Sequence, residues 1–326
     1  MRARGVIGTA AAAGGAALGY ATIIERNWFA LRRSDVPVLP EGSRPLRLLH
    51  ISDAHLTPGR HRLMSWIRSL DALDPDLVVN TGDSIAHQES VQPFLEALGP
   101  LLERPGVFVY GSNDLYSPIP RNPARYLWRT SALEHRRKAV DLPWEALGEG
   151  MTAAGWLDAN NWRGRIKAAD ADIEVAGVDD SHVARDRYDE IAGPADPSAD
   201  LRLGVMHSPE PAVLDRFVAD GFDLLLAGHT HGGQVRLPWF GALVTNCGID
   251  RSRARGLHRY PPLAAGSAAA DGGAAGGAAA DGAAGGAADK RPWLNVSAGL
   301  GTSPWAPARF SCRPEATLLT LVPRIS

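Results

Sequence analysis

"FDLLLAGHTHGGQ", residues 222–234, decides the fold. Its apolar run reads as a β-type segment, and it ends abruptly at Gly228. Gly228, Gly232 and Gly233 let the backbone turn sharply, while His229 and His231 sit at alternate positions within that turn. Alone, such a histidine pair would fit a solvated surface turn equally well. Its meaning depends on whether other strands of the chain end the same way.

They do. "LRLLHIS" (46–52) ends at Asp53, "DLVVNTGD" (76–83) at Asp83, and "GVFVYGSND" (106–114) at Asn113 and Asp114. Between these runs, "HRLMSWIRSLDAL" (61–73) and "SVQPFLEALGPLL" (90–102) carry apolar residues at three-and-four spacing, which predicts helices covering a sheet. Residues 117–165 are rich in Pro, Arg and Trp and read as an inserted cap or surface excursion with a helix in "PWEALGEGMTAAG" (143–155). Regular runs resume with "DIEVAGVDD" (172–180) and "LRLGVMHSP" (201–209), then a helix over "PAVLDRFVADG" (211–221). The second half thus repeats the first, as two sheets packed face to face would require. Residues 264–289, a tract of Ala, Gly and Asp with one Ser, hold nothing large to bury and are expected to form a disordered surface loop. "WLNVSAGLGTSP" (293–304) and "ATLLTLVP" (316–323) supply closing strands.

Polar residues therefore recur at the carboxyl ends of strands. Asp53 and His55 lie two apart, so both can reach one metal ion from extended chain. Asp83 after Gly82 would alone be an ordinary turn residue, and His207 alone an ordinary packed histidine. Their order along the chain is what carries information: DxH, GD, an amide after the third strand, a single His, then GHxH.

In that order, "LLHISDAHL", "VVNTGD", "MHSPEP" and "AGHTHGGQ" resemble the blocks of the calcineurin-like metallophosphoesterase superfamily, and the resemblance runs over about residues 46–322 apart from the low-complexity tract. It looks most similar to the bacterial branch that includes membrane-associated phosphoesterases and relatives of UDP-2,3-diacylglucosamine hydrolases. The resemblance implies an α/β fold, a four-layer αββα sandwich with a two-metal site at the strand ends. Carried over, it gives Asp53, His55 and His231 to one metal, His207 and His229 to the other, and Asp83 to both. Carboxylate and imidazole donors suit two divalent ions such as Mn, Fe or Zn. A metal-bridging hydroxide would then attack phosphorus, which implies a metal-dependent hydrolase of a phosphodiester or diphosphate, nucleotide- or lipid-linked.

The third block departs from the family. The pattern is Gly-Asn-His followed by an acid, whereas the chain has Gly111-Ser112-Asn113-Asp114. Without a gap, Ser112 replaces the amide ligand and Asn113 replaces the histidine that assists the leaving group. Shifted by one, Asn113 keeps the metal and Asp114 falls where the histidine would be. The shifted register is preferred because an amide oxygen suits that metal position better than a hydroxyl. The competing function is a non-catalytic metal-binding module whose turnover was lost through the Ser112-Asn113 change.

Bulk properties narrow the partners. Lys plus Arg (34) nearly balance Asp plus Glu (36) and no basic run occurs, which argues against nucleic acid. Small-molecule or lipid-linked phosphoesters remain. Residues 5–24 carry no charge and follow Arg2 and Arg4, and Trp28, Phe29, Arg32 and Arg33 come after them. Residues 1–35 are thus expected to be an anchor segment at a membrane surface, or else a helix packed on a cytoplasmic protein. Residues 36–326 are expected to form the catalytic domain. Cys247 and Cys312 are too few for a disulfide framework and read as two buried thiols.

Overall fold

The computed structural model describes residues 12–120, 140–261 and 290–324. Helix α1 (residues 12–19) continues through a π turn, Tyr20–Ile24, and a 3-10 turn, Glu25–Asn27, into strand β1, Ala30–Leu39. The chain then forms β2 (Leu46–Ile51), α2 (His61–Ser69), β3 (Leu77–Asn80), α3 (Val91–Leu98), β4 (Gly106–Phe108) and the single turn α4 (Ser112–Leu115). After it come α5 (Trp144–Ala153), β5 (Leu157–Asp158), β6 (Trp162–Ala168), β7 (Ala171–Gly177), β8 (Leu201–Val205), α6 (Pro211–Asp220) and β9 (Leu224–Ala227). A short hairpin, β10 (Arg236–Leu237) and β11 (Gly241–Ala242), precedes β12 (Gly256–Arg259), β13 (Trp293–Val296) and β14 (Glu315–Pro323).

Two six-stranded sheets result, ordered β1-β14-β2-β3-β4-β5 and β12-β13-β9-β8-β7-β6. Their inner strands are apolar on both faces, and alternation assigns each residue to a layer. In β3, Leu77 and Val79 pack between the sheets, while Val78 points to the helical layer beside Phe94 and Leu98 of α3. In β9, Leu224 and Leu226 face the other sheet, while Leu225 and Ala227 meet Leu214 and Phe217 of α6. Three apolar interfaces thus separate four layers: α2, α3 and α5, then two sheets, then α6. The fold is the expected α/β sandwich.

Register sets the site. Ile51 lies level with Asn80 and Asn80 with Phe108, while Gly177 lies level with Val205 and Val205 with Leu226. All these strands are parallel, so their exits open at one end of each sheet. Beneath, buried His50 of β2 meets Thr81 Oγ1 through Nε2 (2.9 Å) and accepts from Asn295 Nδ2 of β13 through Nδ1 (2.8 Å), tying the sheets together. Burial drives its pKa down to about 3, in keeping with a packed strand residue.

Two expectations on the ends of the domain change. β1 crosses the boundary expected at residue 35, because its pairing with β14 begins at Ala30 opposite Glu315. The excursion expected over 117–165 also closes early: α5 packs on the first sheet, β5 extends it and β6 starts the second. The tract at 264–289 lies outside the described residues. Cys247 and Cys312 are both unbridged.

Candidate metal centre

Five residues at the strand exits, Asp53, His55, Asp83, His229 and His231, have φ between 42° and 67°. Side chains rarely adopt this left-handed region, and each such residue costs about 1–3 kcal/mol unless its surroundings enforce it. Here they do. Asp53 N–H donates to Gly82 O (2.8 Å) and His55 N–H to Asp83 O (2.9 Å), which locks the first two exits together. Gly228 N–H donates to His207 O (2.9 Å) in the other sheet. Close approach allows no side chain at Gly228, where a Cβ would lie 2.0 Å from Ser52 Oγ and 2.6 Å from Asp53 Oδ2.

The turns bring six of the expected ligands together. One oxygen or nitrogen each from Asp53, His55, Asp83 and His231 lies within 4.8 Å of every other. His55 Nε2 is 2.9 Å from His231 Nε2 and 3.4 Å from Asp83 Oδ2, and His231 Nε2 is 3.4 Å from Asp53 Oδ1. On the far side of Asp83, His207 Nε2 stands 3.5 Å from the same Oδ2 and 3.4 Å from His229 Nδ1. Such separations are what donors about 2.0–2.2 Å from a shared ion would have. The donor set fits two divalent cations meeting at Asp83, since buried carboxylate and imidazole donors converge on both sides of its Oδ2.

Electrostatics agree. Burial pushes His55 down to about 4, and burial together with positive neighbours holds His229 and His231 well below the usual imidazole range. These three rings are neutral, as ligands must be. Burial would raise the Asp83 carboxyl, but His207 and His55 outweigh it and hold it well below the carboxylate range. Burial also opposes charge on His207, yet Asp83, Asp180 and Asp53 raise it well above an ordinary imidazole. Asp53 is pushed up to about 6 by burial, with Asp83 adding to the rise.

The third block sits at the edge of this cluster. Asn113 donates to Asp83 twice, from its backbone N–H to Oδ1 and from Nδ2 to Oδ2, both at 2.7 Å. Its amide therefore touches the carboxylate shared by both halves. Asp114 lies elsewhere. It is fully buried, with Oδ1 accepting from Ser84 N–H (2.7 Å) and Ile85 N–H (3.1 Å) and Oδ2 from Gly111 N–H (3.0 Å). The expectation of an acid replacing the family histidine does not match this geometry, because both oxygens brace turns instead of facing the cleft. Burial pushes this carboxyl up to about 7.

Other neighbours carried no motif. Arg309 is fully buried and lies 3.2 Å from His231 Nδ1, with Nη1 donating to His231 O at 2.9 Å. The His182 ring lies 4.5 Å from that of His229, tilted by 47°, and Asp180 Oδ1 accepts from His182 N–H (2.9 Å). A signal existed only for Asp180, as the polar end of "VAGVDD". Arg309 and His182 reach the centre through tertiary contacts alone. Gln234 holds the loop by donating to Ala306 O instead of to the His231 ring, and Asn80 braces the Asp83 turn through Gly82 N–H and Ser84 Oγ.

The relatives of the chain carry the same description. A metallophosphoesterase of Bacillus subtilis, YkuE, is 25% identical over 252 residues, covering 74% of this chain and 78% of its own. Phosphodiesterase YaeI of Escherichia coli is 27% identical over 230 residues, covering 68% and 74%. A transmembrane protein with metallophosphoesterase domain from Bos taurus is 28% identical over 228 residues, covering 63% of this chain and 45% of its own. The family model for calcineurin-like phosphoesterases matches residues 46–233, more than half of the chain. With its strand-exit cluster and this match, the chain belongs to the calcineurin-like phosphoesterase family.

Proposed function

We propose that the protein hydrolyses a phosphodiester or diphosphate of a nucleotide- or lipid-linked substrate at a centre of two divalent cations, Mn, Fe or Zn. Asp53, His55 and His231 would hold one cation, His207, His229 and Asn113 the other, and Asp83 both. The observation that carries this reading is the position of Asp83 Oδ2, 3.4 Å from His55 Nε2 and 3.5 Å from His207 Nε2. When bound, such cations supply Lewis acidity and activate water. The chain's own groups do the rest: the His55, His229 and His231 rings are held neutral by burial and so present free lone pairs, and Asp114 holds the Gly111–Asp114 turn that presents Asn113 to Asp83.

Asn113 also shapes substrate choice. With its amide oxygen given to the metal and Asp114 turned onto the backbone N–H groups of Ser84, Ile85 and Gly111, this block offers no proton donor to the leaving group, and general acid catalysis is worth about a hundred- to ten-thousand-fold for a poor leaving group. Leaving groups that depart as stable anions are therefore favoured. The test is hydrolysis by the Mn-loaded protein of bis(4-nitrophenyl) phosphate against an alkyl phosphomonoester. The expected outcome is turnover of the activated diester at least about a hundredfold faster. Equal rates would remove the leaving-group argument, and no hydrolysis of either would remove the proposed activity.

A lipid surface is the proposed setting. No helix among the described residues is long and apolar enough to cross a membrane. Yet Leu18, Ile23, Ile24 and Trp28 of the N-terminal segment are exposed, as are Trp239 and Phe240 in the β10–β11 hairpin. Tyr20 packs edge-on against Phe310, and Arg236 N–H donates to Phe310 O (2.9 Å), so both segments flank one residue. Arg313 stacks on Trp28 (4.3 Å) and Arg251 on Phe240 (4.9 Å), the aromatic-plus-cation pairing that suits anionic headgroups.

A further inference from the structure

Several half-buried arginines are paired with an acid: Arg163 with Glu174 (2.8 Å), Arg185 with Asp179 (2.7 Å) and Arg202 with Asp223 (2.6 Å). Arg26 and Arg60, also half-buried, are not. Neither has a carboxylate within ion-pair distance among the described residues, and Arg60 Nη2 is buried with no hydrogen-bond partner at all. A guanidinium N–H withdrawn from water without an acceptor is costly, and a second positive charge beside it adds to the cost.

Three separate elements converge to create this arrangement. Arg60 closes the turn that follows His55, with its N–H on Thr57 O, and leads into α2. Arg26 arrives from the N-terminal segment and donates from Nε to Oγ1 of buried Thr302 (2.9 Å). The Thr302 loop is pinned to the first strand exit, since Leu300 N–H donates to Ser52 O and Gly301 N–H to Asp53 O, each at 2.8 Å. Glu25 makes no ion pair with Arg26, its carboxylate accepting from Ser311 N–H (3.0 Å) and Cys312 N–H (2.6 Å) instead. Burial and the Arg26 charge lower Arg60 to about 10, and the Arg60 charge in turn reaches His55. Two uncompensated guanidinium groups thus stand beside the Asp53–His55–His231 half of the centre.

We propose that Arg26, Arg60 and Thr302 form an anion subsite next to the cation centre that takes a second phosphoryl group of the substrate, not the one attacked. The proposal rests on the phosphoester-hydrolase reading above and narrows it to substrates with a second phosphate close to the scissile one. Planar guanidinium forks match phosphoryl oxygens in paired hydrogen bonds, and the hydroxyl of Thr302, already accepting from Arg26, has a proton left to donate. It also gives the N-terminal segment a part in substrate choice as well as in location.

The test is calorimetric, on the Mn-loaded full chain freed of excess metal, with methylenediphosphonate and methylphosphonate as probes. The wild-type protein is expected to prefer the diphosphonate, and Arg60→Gln to reduce that preference at least about tenfold, the usual loss for hydrogen bonds between charged groups. Arg26→Gln, on a different element, is expected to act in the same direction, and Arg60→Lys to restore part of the preference. An affinity ratio unchanged in both glutamine variants would overturn the subsite, as would a wild-type protein that binds the two probes equally. Hydrolysis of bis(4-nitrophenyl) phosphate by the same preparation separates the two claims: its absence would sink the hydrolase reading, while the affinity ratio still decides the subsite.

Discussion

Between His55 and His207, the Asp83 carboxylate makes its 3.4 and 3.5 Å approaches with one oxygen while Asn113 holds both of its oxygens at 2.7 Å. Asp83→Asn keeps the size and removes the charge that both halves share. It is expected to bring metal content below one ion per chain and to slow diester hydrolysis at least about a thousandfold, as removal of several kcal/mol of Lewis-acid stabilisation would. Elemental analysis beside a rate assay checks this, and full metal content with normal turnover would contradict it. His207 adds a pH dependence. Its folded pKa is raised, so in the metal-free protein its charge adds stability that is fully present below the unfolded value of about 6.5 and is lost as pH rises through the folded value. A cation needs the neutral ring, so metal binding must expel that proton, and affinity must fall as pH is lowered. Calorimetry near pH 7 in two buffers of different ionisation enthalpy is expected to show about one proton released per chain from this ring. A release of zero would mean that His207 is neutral before the metal arrives.

At the level of elements, the site is a set of turns that only particular residues can make. Gly111 has φ −111°, which any residue tolerates, yet a Cβ there would lie 2.3 Å from Asp83 Oδ1 and 2.6 Å from His207 Cε1. Gly155, away from the site, has φ +96° and open space around it. Gly111→Ala is therefore expected to cost about 1–3 kcal/mol through overpacking and to lose metal. Gly155→Ala is expected to cost a comparable amount through backbone strain and to keep its metal. Thermal melts with metal analysis distinguish them, and equal metal retention would show that the exit turns do not position the ligands. These turns also explain what the sequence made legible. DxH, GD and GHxH could be read because each ligand lies within a few residues of a short apolar run, so local pattern and chemistry coincide. The Gly111–Asp114 block was ambiguous because one residue of register separates Ser112 from Asn113, and only the packing against Asp83 and Ser84 distinguishes the side chains. Arg309 was invisible because its contact with His231 spans 78 residues of chain. β1 was missed because Arg32, Arg33, Asp35 and Pro37 break any strand pattern, and its pairing depends on β14 at the far end of the sequence.

Across the whole molecule, the parallel strand exits of both sheets converge on one end, and the N-terminal segment and the β10–β11 hairpin meet around Phe310 beside the loop that carries His231. Trp239 is fully exposed and Phe240 is 59% exposed, at the tip of a hairpin that starts three residues after Gly233. Large aromatic groups so placed lose free energy in water, and each Phe-sized side chain transferred to an apolar phase gains about 1.5–3 kcal/mol. A tip entering an anionic bilayer would recover part of this, with Arg251 and Arg313 left at headgroup depth. The full chain is therefore expected to sediment with vesicles containing phosphatidylglycerol and to bind less to vesicles of phosphatidylcholine alone. Replacing Trp239 and Phe240 by Ser together is expected to weaken binding to the anionic vesicles about tenfold or more. Raised salt should weaken the wild-type protein as well, since the arginine contribution is screened over a Debye length of about 8–10 Å. Binding that survives the double substitution would place the lipid contact on the N-terminal segment alone, and Trp28→Ser would then be the variant that releases it. Binding indifferent to all three aromatic residues and to lipid charge would leave the apolar rim without a role in membrane attachment.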